Sequence, residues 1–273
     1  MTDTQKKSFS IWDLANPTRF LSILDKIMTP LVILTVVAFA AGLYLTFFYA
    51  PDDYQQGATV KIMFIHVPAA WLAMFAYMVM AIGSLGTLIW KHPLADVSAK
   101  AAGPLGAAFT FVSLVTGSLW GKPMWGTWWV WDARLTSMLV LLIIYLGLMA
   151  LWRTIDDPIR AGKAAAILTL VGFINIPIIK FSVDWWSTLH QPASVLTLDG
   201  PKIHASILIP LLVMAFAFTL LFTALHFKAM KNEILRRRIR TMQMQAARSV
   251  ASGNGAVAAS RATPAGQKPA TTH

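Results

Sequence analysis

Charged residues are absent from six long stretches of the chain. These are residues 27–51, 62–90, 101–121, 135–152, 164–179 and 203–227. A helix that crosses a bilayer needs roughly 20 mostly apolar residues. Five of the stretches meet this. The fifth in order, Ala164 to Ile179, is short and works as a span if Lys180 reaches back to the headgroups and the helix extends to about Ser182. The pattern predicts an all-α membrane protein with six transmembrane helices. It divides the chain into an N-terminal segment 1–27, a six-span domain 28–228 and a tail 229–273.

Lys and Arg are distributed unevenly between the two sides that six spans define. The side holding both termini and the 2–3 and 4–5 connections carries 18, and the other side carries Lys61, Lys122, Arg134, Lys180 and Lys202. Positive charge collects on the cytoplasmic side, so both termini are expected to be cytoplasmic. The net charge of +11 is then mostly topological, with a juxtamembrane segment "KAMKNEILRRRIR" suited to anionic lipid. No nucleic-acid-binding module is present in the pattern. From about Gln245 the tail is rich in Ala, Ser, Gly, Thr and Pro and reads as disordered. The first apolar run begins late and is long, which suits a retained span better than a cleaved signal. Cysteine is absent, which excludes disulfides, thiolate metal sites and covalent haem attachment through C-x-x-C-H.

Composition draws attention to two outer loops. "WGTWWVWDARLTS", residues 125–137, places Trp125, Trp128, Trp129 and Trp131 within seven positions, followed by Asp132 and Arg134. Trp125, Trp128 and Trp129 have i, i+3, i+4 spacing, which predicts a short interfacial helix with three rings on one face. The next outer loop repeats the chemistry as "VDWWSTLH", with Asp184, Trp185, Trp186 and His190. An aromatic belt is the bland alternative, but a belt would populate both faces and these residues crowd one.

Two histidines share a local context. His66 lies in "FIHVPAAW" and His190 in "TLHQPASV". Proline starts helices well, so each imidazole is expected just before a helical turn, on a stiff backbone. Two imidazoles on one membrane side suit a shared metal; each could equally be an interfacial anchor. Asp132 suits an N-cap for span 4. Arg134 suits a headgroup anchor or, with Lys122 and Lys180, a site for ligand carboxylates. Asn175, polar within the thin span, suits a hydrogen bond to another helix or to another subunit. A planar, apolar, metal-containing ligand with acidic groups satisfies this set, and haem is one. Residue types alone also admit a quinone, a lipid headgroup or copper.

The tryptophan stretch fills every fixed position of the pattern W-G-x-x-W-x-W-D-x-R-L-T: Trp125, Gly126, Trp129, Trp131, Asp132, Arg134, Leu135 and Thr136. It thereby resembles the WWD family of haem-handling membrane proteins. With six spans and one histidine in each flanking outer region, it is similar to the CcmC, or haem exporter protein C, family of cytochrome c biogenesis, over about residues 20–228. The resemblance implies a bacterial inner-membrane protein whose tryptophan-rich periplasmic loop joins spans 3 and 4. It implies non-covalent haem b with His66 and His190 as axial ligands. The haem platform would be Trp125, Gly126, Trp128, Trp129, Trp131 and Asp132. It also implies delivery of haem to the chaperone CcmE, and association with CcmD and the transporter subunits CcmA and CcmB. No chemical turnover is expected. Two rivals remain: an electron-transferring haem b or quinone subunit, and a small-solute secondary transporter, at whose broken helices Pro210 and Asn175 hint.

Overall fold

A computed structural model describes residues 16–191, 194–195, 197 and 200–262, with side chains described to residue 250. Trp12 and the other residues before 16 lie outside the described residues, as do residues 263–273. The described chain is helical: α1 (Pro17–Tyr44), α2 (Met63–Ile89), α3 (Pro93–Trp125), α4 (Ala133–Thr154), α5 (Pro158–Gly172), α6 (Asn175–Trp185) and α7 (Ala205–Ala262). Among the described residues, six helical segments are long and apolar enough to cross a membrane. This is a multi-pass membrane protein.

Local chemistry sets the helix ends. The Asn16 side chain accepts from the Thr18 amide ahead of Pro17. Asp157 accepts from the Ile159 amide ahead of Pro158. In both, proline occupies a position whose N–H would have no partner, and the cap satisfies a neighbour. A π-helical turn, Leu45–Tyr49, ends the first span just before Pro51.

The thin fifth span consists of two helices. α5 and α6 form one 28-residue crossing, Pro158–Trp185, broken at Phe173–Ile174. Pro177 explains the break. It offers no amide to the Phe173 carbonyl and its ring crowds that group, so the Ile176 amide bonds the Phe173 carbonyl in a tighter turn instead. Asn175 sits at the break, buried, and donates from Nδ2 to the Ser137 carbonyl of α4 at 2.9 Å. The expected interhelical bond is therefore made within this chain.

α2 lies at the centre of the core, contributing Phe64, Ala69, Ala73, Ala76, Tyr77 and Met80. Lipid tails are as apolar as leucine, so packing in a membrane rests on close approach and on satisfied polar groups. Two buried tyrosines supply both. The Tyr145 hydroxyl of α4 donates to the Ala73 carbonyl at 2.7 Å, and that of Tyr77 donates to the Thr169 carbonyl of α5 at 3.0 Å. Their rings meet edge to face at 5.4 Å. Gly106 of α3 leaves the space that the Tyr145 ring fills.

The chain forms two units, residues 1–231 and 232–273. In the second, Glu233 pairs along its own helix with Arg236 at 3.4 Å and Arg237 at 2.9 Å. α7 continues to Ala262, through residues from Gln245 onward that read as disordered. Ala, Gln and Arg in that stretch are all good helix formers, which offsets its low complexity.

Candidate haem-handling site

The tryptophan-rich stretch is a loop between two well-defined helix ends. α3 stops because Gly126 adopts the left-handed conformation, φ 75°, and its amide returns to the Lys122 carbonyl. Glycine takes that conformation without steric cost. α4 starts at Ala133 with Asp132 as its N-cap, Oδ1 accepting from the Leu135 amide at 2.7 Å. Between them the backbone is irregular. The expected interfacial helix over Trp125–Trp129 does not form, because Gly126 ends the helix one residue after Trp125. Thr127 braces the loop, its hydroxyl donating to the Trp129 carbonyl at 3.1 Å.

The four indoles consequently differ in exposure. Trp125 and Trp129 are half-buried, while Trp128 and Trp131 are 55% and 74% exposed. Trp129 and Trp131 meet edge to face at 5.5 Å. The Trp129 Nε1–H is buried with no hydrogen-bond partner. Trp185 and Trp186, at the end of α6, are exposed on the neighbouring loop and Trp185 stacks on Phe181.

His66 differs from expectation in its setting. It lies inside the first turn of α2, which a 3-10 turn, Ala58–Ile62, leads into, so the helix begins before Pro68. Its Nδ1 faces the Ser113 carbonyl at 3.0 Å and the Thr116 hydroxyl at 3.1 Å. A carbonyl only accepts, so Nδ1 carries the proton and Nε2 keeps its lone pair. The ring lies edge to face with Trp120 at 5.8 Å and rests over Gly117, where a Cβ would come within 3.0 Å of Cε1. Trp120 is held in turn by Gln56, Nε1 to Oε1 at 2.8 Å.

His190 reaches the same tautomer by another route. It stands in the non-helical segment after α6, and Pro192 and Ala193 of its shared motif lie outside the described residues. Its Nδ1–H donates to Asp132 Oδ2 at 3.2 Å, and Trp125 lies against the ring at 5.1 Å. Asp132, with 5% of its side chain exposed, therefore serves twice: one oxygen caps α4 and the other orients His190. Burial pushes the His190 imidazole below its ordinary pKa, with Asp132 pulling it partly back. The ring is neutral at pH 7 with Nε2 free to bind a metal. His66, His190 and Arg134 lie within electrostatic range of one another.

The three cations differ in freedom. Arg134 spans α4 and α6, Nε donating to Ser182 Oγ at 3.2 Å and an NH2 group to the Lys180 carbonyl at 3.4 Å. Lys122 donates to the Gly126 carbonyl at 2.9 Å and lies 5.9 Å from the Trp128 ring centre. The Lys180 side chain is exposed.

Ser113, Thr116, Gly117 and Trp120 are site residues that the motifs did not flag. They recur at i, i+3, i+4, i+7, one face of α3, and a small or polar face inside an otherwise apolar span was their available signal. Among the described residues no three His, Cys, Asp or Glu side chains gather as a bare metal ion would require. Two imidazoles beside aromatic surface suit an ion that brings its own equatorial ligands, as a porphyrin does.

Comparison with known proteins agrees. The model of the CcmC family, heme exporter protein C, matches residues 10–245. A heme exporter protein C of Bradyrhizobium diazoefficiens is 66% identical over 249 residues, covering 91% of this chain and 94% of its own. One of Escherichia coli K12 is 46% identical over 226 residues, 83% of this chain and 91% of its own. A Marchantia polymorpha mitochondrial protein, named as ccmC-like in cytochrome c biosynthesis, is 50% identical over 179 residues, 66% of this chain and 75% of its own. With the tryptophan loop, two like-tautomer histidines and six crossings already in place, the chain belongs to the CcmC, heme exporter protein C, family.

Proposed function

We propose that this protein binds haem at the outer face of the bacterial inner membrane and hands it on for maturation of c-type cytochromes. One observation carries the reading. His66 and His190, 124 positions apart in sequence, both commit Nδ1 to an acceptor of the protein and keep Nε2 free. Iron-binding imidazoles are arranged this way, with the second nitrogen fixing tautomer and ring orientation.

His66 and His190 supply the two axial ligands of haem b, held non-covalently. Trp125, Trp128, Trp129 and Trp131 give apolar surface for the macrocycle, and Gly126 and Asp132 set the loop that carries them. Lys122, Arg134 and Lys180 are the candidate cations for the propionates. Lys and Arg bias orients both termini to the cytoplasm and this loop to the periplasm. There the receiver is the haem chaperone CcmE, and CcmD, CcmA and CcmB are membrane partners. The protein performs no chemical turnover; it binds and transfers.

The test is an absorption spectrum of the detergent-purified protein titrated with haem, oxidised and reduced. A Soret band with low-spin, two-histidine features supports the reading. Failure to take up haem would overturn it and favour a solute transporter. Permanently bound haem that cycles electrons and never leaves would favour the electron-transfer subunit.

A further inference from the structure

We propose that the two axial histidines are unequal in hand-over: His190 is the ligand that leaves the iron, Asp132 is the latch that holds it in place, and His66 stays until an acceptor bearing its own iron-ligating side chain has bound. This rests on the reading of His66 and His190 as the ligand pair.

The seats of the two rings differ in kind. His66 is part of a continuous helix, and its ring is fixed by a carbonyl, a hydroxyl, the backbone at Gly117 and an edge-to-face contact with Trp120, all from α3. Moving it means moving α2 against α3, the most intimate packing in the bundle, or driving the ring into the Gly117 backbone. Among the described residues, His190 has no such frame. Its backbone amide and carbonyl bond, among the described residues, only to the Thr188 hydroxyl, two residues away on the same segment. Among the described residues, the ties of its ring to the helical frame are the Asp132 carboxylate and one edge-to-face contact with Trp125. Breaking one hydrogen bond and sliding off one indole frees the arm without disturbing any helix.

Asp132 ties the latch to the tryptophan loop. The carboxylate that orients His190 also caps α4 directly after Trp131. A partner that grips the exposed Trp128 and Trp131 rings therefore pulls on the segment carrying the latch. The step is a ligand exchange. The Fe–Nε2 bond of His190 breaks and a bond from the acceptor's donor atom forms; no electron changes hands, and the Nδ1 proton stays on His190.

The experiment measures how fast one axial ligand comes off. Reduced, haem-loaded protein is mixed with carbon monoxide, which binds a six-coordinate haem only after a histidine has left. Asp132→Asn keeps an oxygen to cap α4 but removes the charge from the latch. Thr116→Val removes the hydroxyl beside His66, and Gly117→Ala presses on that ring. The expected result is carbon monoxide binding on the order of tenfold faster in Asp132→Asn, because a charge-assisted hydrogen bond is lost. Thr116→Val and Gly117→Ala should accelerate it less than Asp132→Asn does, since the Ser113 carbonyl and the helix still hold His66. Equal or greater acceleration in the two His66-side variants would overturn the proposal. Should Asp132→Asn fail to fold, His190→Gly and His66→Gly decide the matter. His190→Gly should retain five-coordinate haem through gel filtration and pass it to an apoglobin, while His66→Gly should lose it on the column; the reverse order overturns the proposal. A wild type without two-histidine features removes the underlying reading and the proposal with it, whereas a two-histidine wild type with the opposite ranking overturns the proposal alone.

Discussion

The bundle carries histidines toward both of its ends, and they differ in how the protein has used the ring nitrogens. At one end, His66 and His190 engage Nδ1 and leave Nε2 open. At the other, His226 of α7 is 7% exposed, hydrogen-bonds through Nε2 to Ser98 of α3 at 3.1 Å and stacks on Phe222 at 5.4 Å. Its Nδ1 is buried without a partner. A metal cargo needs an accessible lone pair on a ring whose tautomer is fixed. His226 offers neither nitrogen to the outside, so it packs two helices together. Burial and proximity to a helix end do not distinguish the two cases; hydrogen-bond bookkeeping does.

The largest expected effect breaks that comparison directly. His66→Ala and His190→Ala should each abolish the low-spin, two-histidine spectrum, while His226→Ala should leave band positions unchanged and lower only thermal stability. Oxidised and reduced absorption spectra of the three purified variants check this. Loss of the low-spin features in His226→Ala alone would reverse the assignment of ends.

Next in size is a lesion in the frame away from both groups. Gly106→Ala places a methyl group where the Tyr145 ring lies. The ring must shift, the Tyr145–Ala73 hydrogen bond is strained, and overpacking of this kind costs about 1–3 kcal/mol. The apparent Tm in detergent should drop by several degrees. Haem bound by the protein that remains folded should keep its wild-type spectrum, since Tyr145 touches neither imidazole. Tyr145→Phe, which removes only the hydroxyl, should cost about 1 kcal/mol.

How much of this could be read from the sequence depends on how far apart the interacting residues lie in the chain. The six crossings were legible because each is a local run of apolar residues. The tryptophan loop and the Asp132 cap were legible because their parts are consecutive. The seat of His66 was not, since Ser113 and Thr116 come 47 and 50 positions later. The Asp132–His190 bond was not either, bridging 58 positions between two loops. The misplaced interfacial helix has a different origin. Trp125, Trp128 and Trp129 have helical spacing, but Gly126 after a basic last turn is a helix stop, and the stop prevailed. Pro177 likewise marked the break in the fifth crossing, which the count of apolar residues registered only as a short span.

Gly126 gives a smaller effect that sharpens the contrast between loop and bundle. At φ 75°, Gly126→Ala has open space for its methyl group but pays a left-handed backbone penalty of roughly 1–2 kcal/mol. The loop should re-form with Trp128 and Trp129 displaced. Haem affinity should then fall several-fold while the Tm drops less than in Gly106→Ala, which lowers the Tm and leaves the haem site alone. Titration and melting of the two variants side by side measure this.

The smallest effect concerns protons. Burial holds the His190 imidazole below its ordinary value of about 6.5 in the folded chain, against the pull of Asp132. The unfolded segment therefore binds a proton more readily than the folded one. Stability from this group is fully present above pH 6.5 and is lost as pH falls through the folded value, because protons then favour the open form. His226 is shielded by a stacked ring within the bundle, so its surroundings should open only with the whole domain. Acidification of the haem-free protein should thus loosen the His190 segment first. Hydrogen exchange at pH 7.5 and pH 5.5 reads this: amide protection should fall selectively across residues 186–191, including the His190 amide now bonded to Thr188, while the Ser98 and His226 region keeps its protection at both. Uniform loss across both ends would mean that the two are one cooperative unit, and the latch would then have no independent motion.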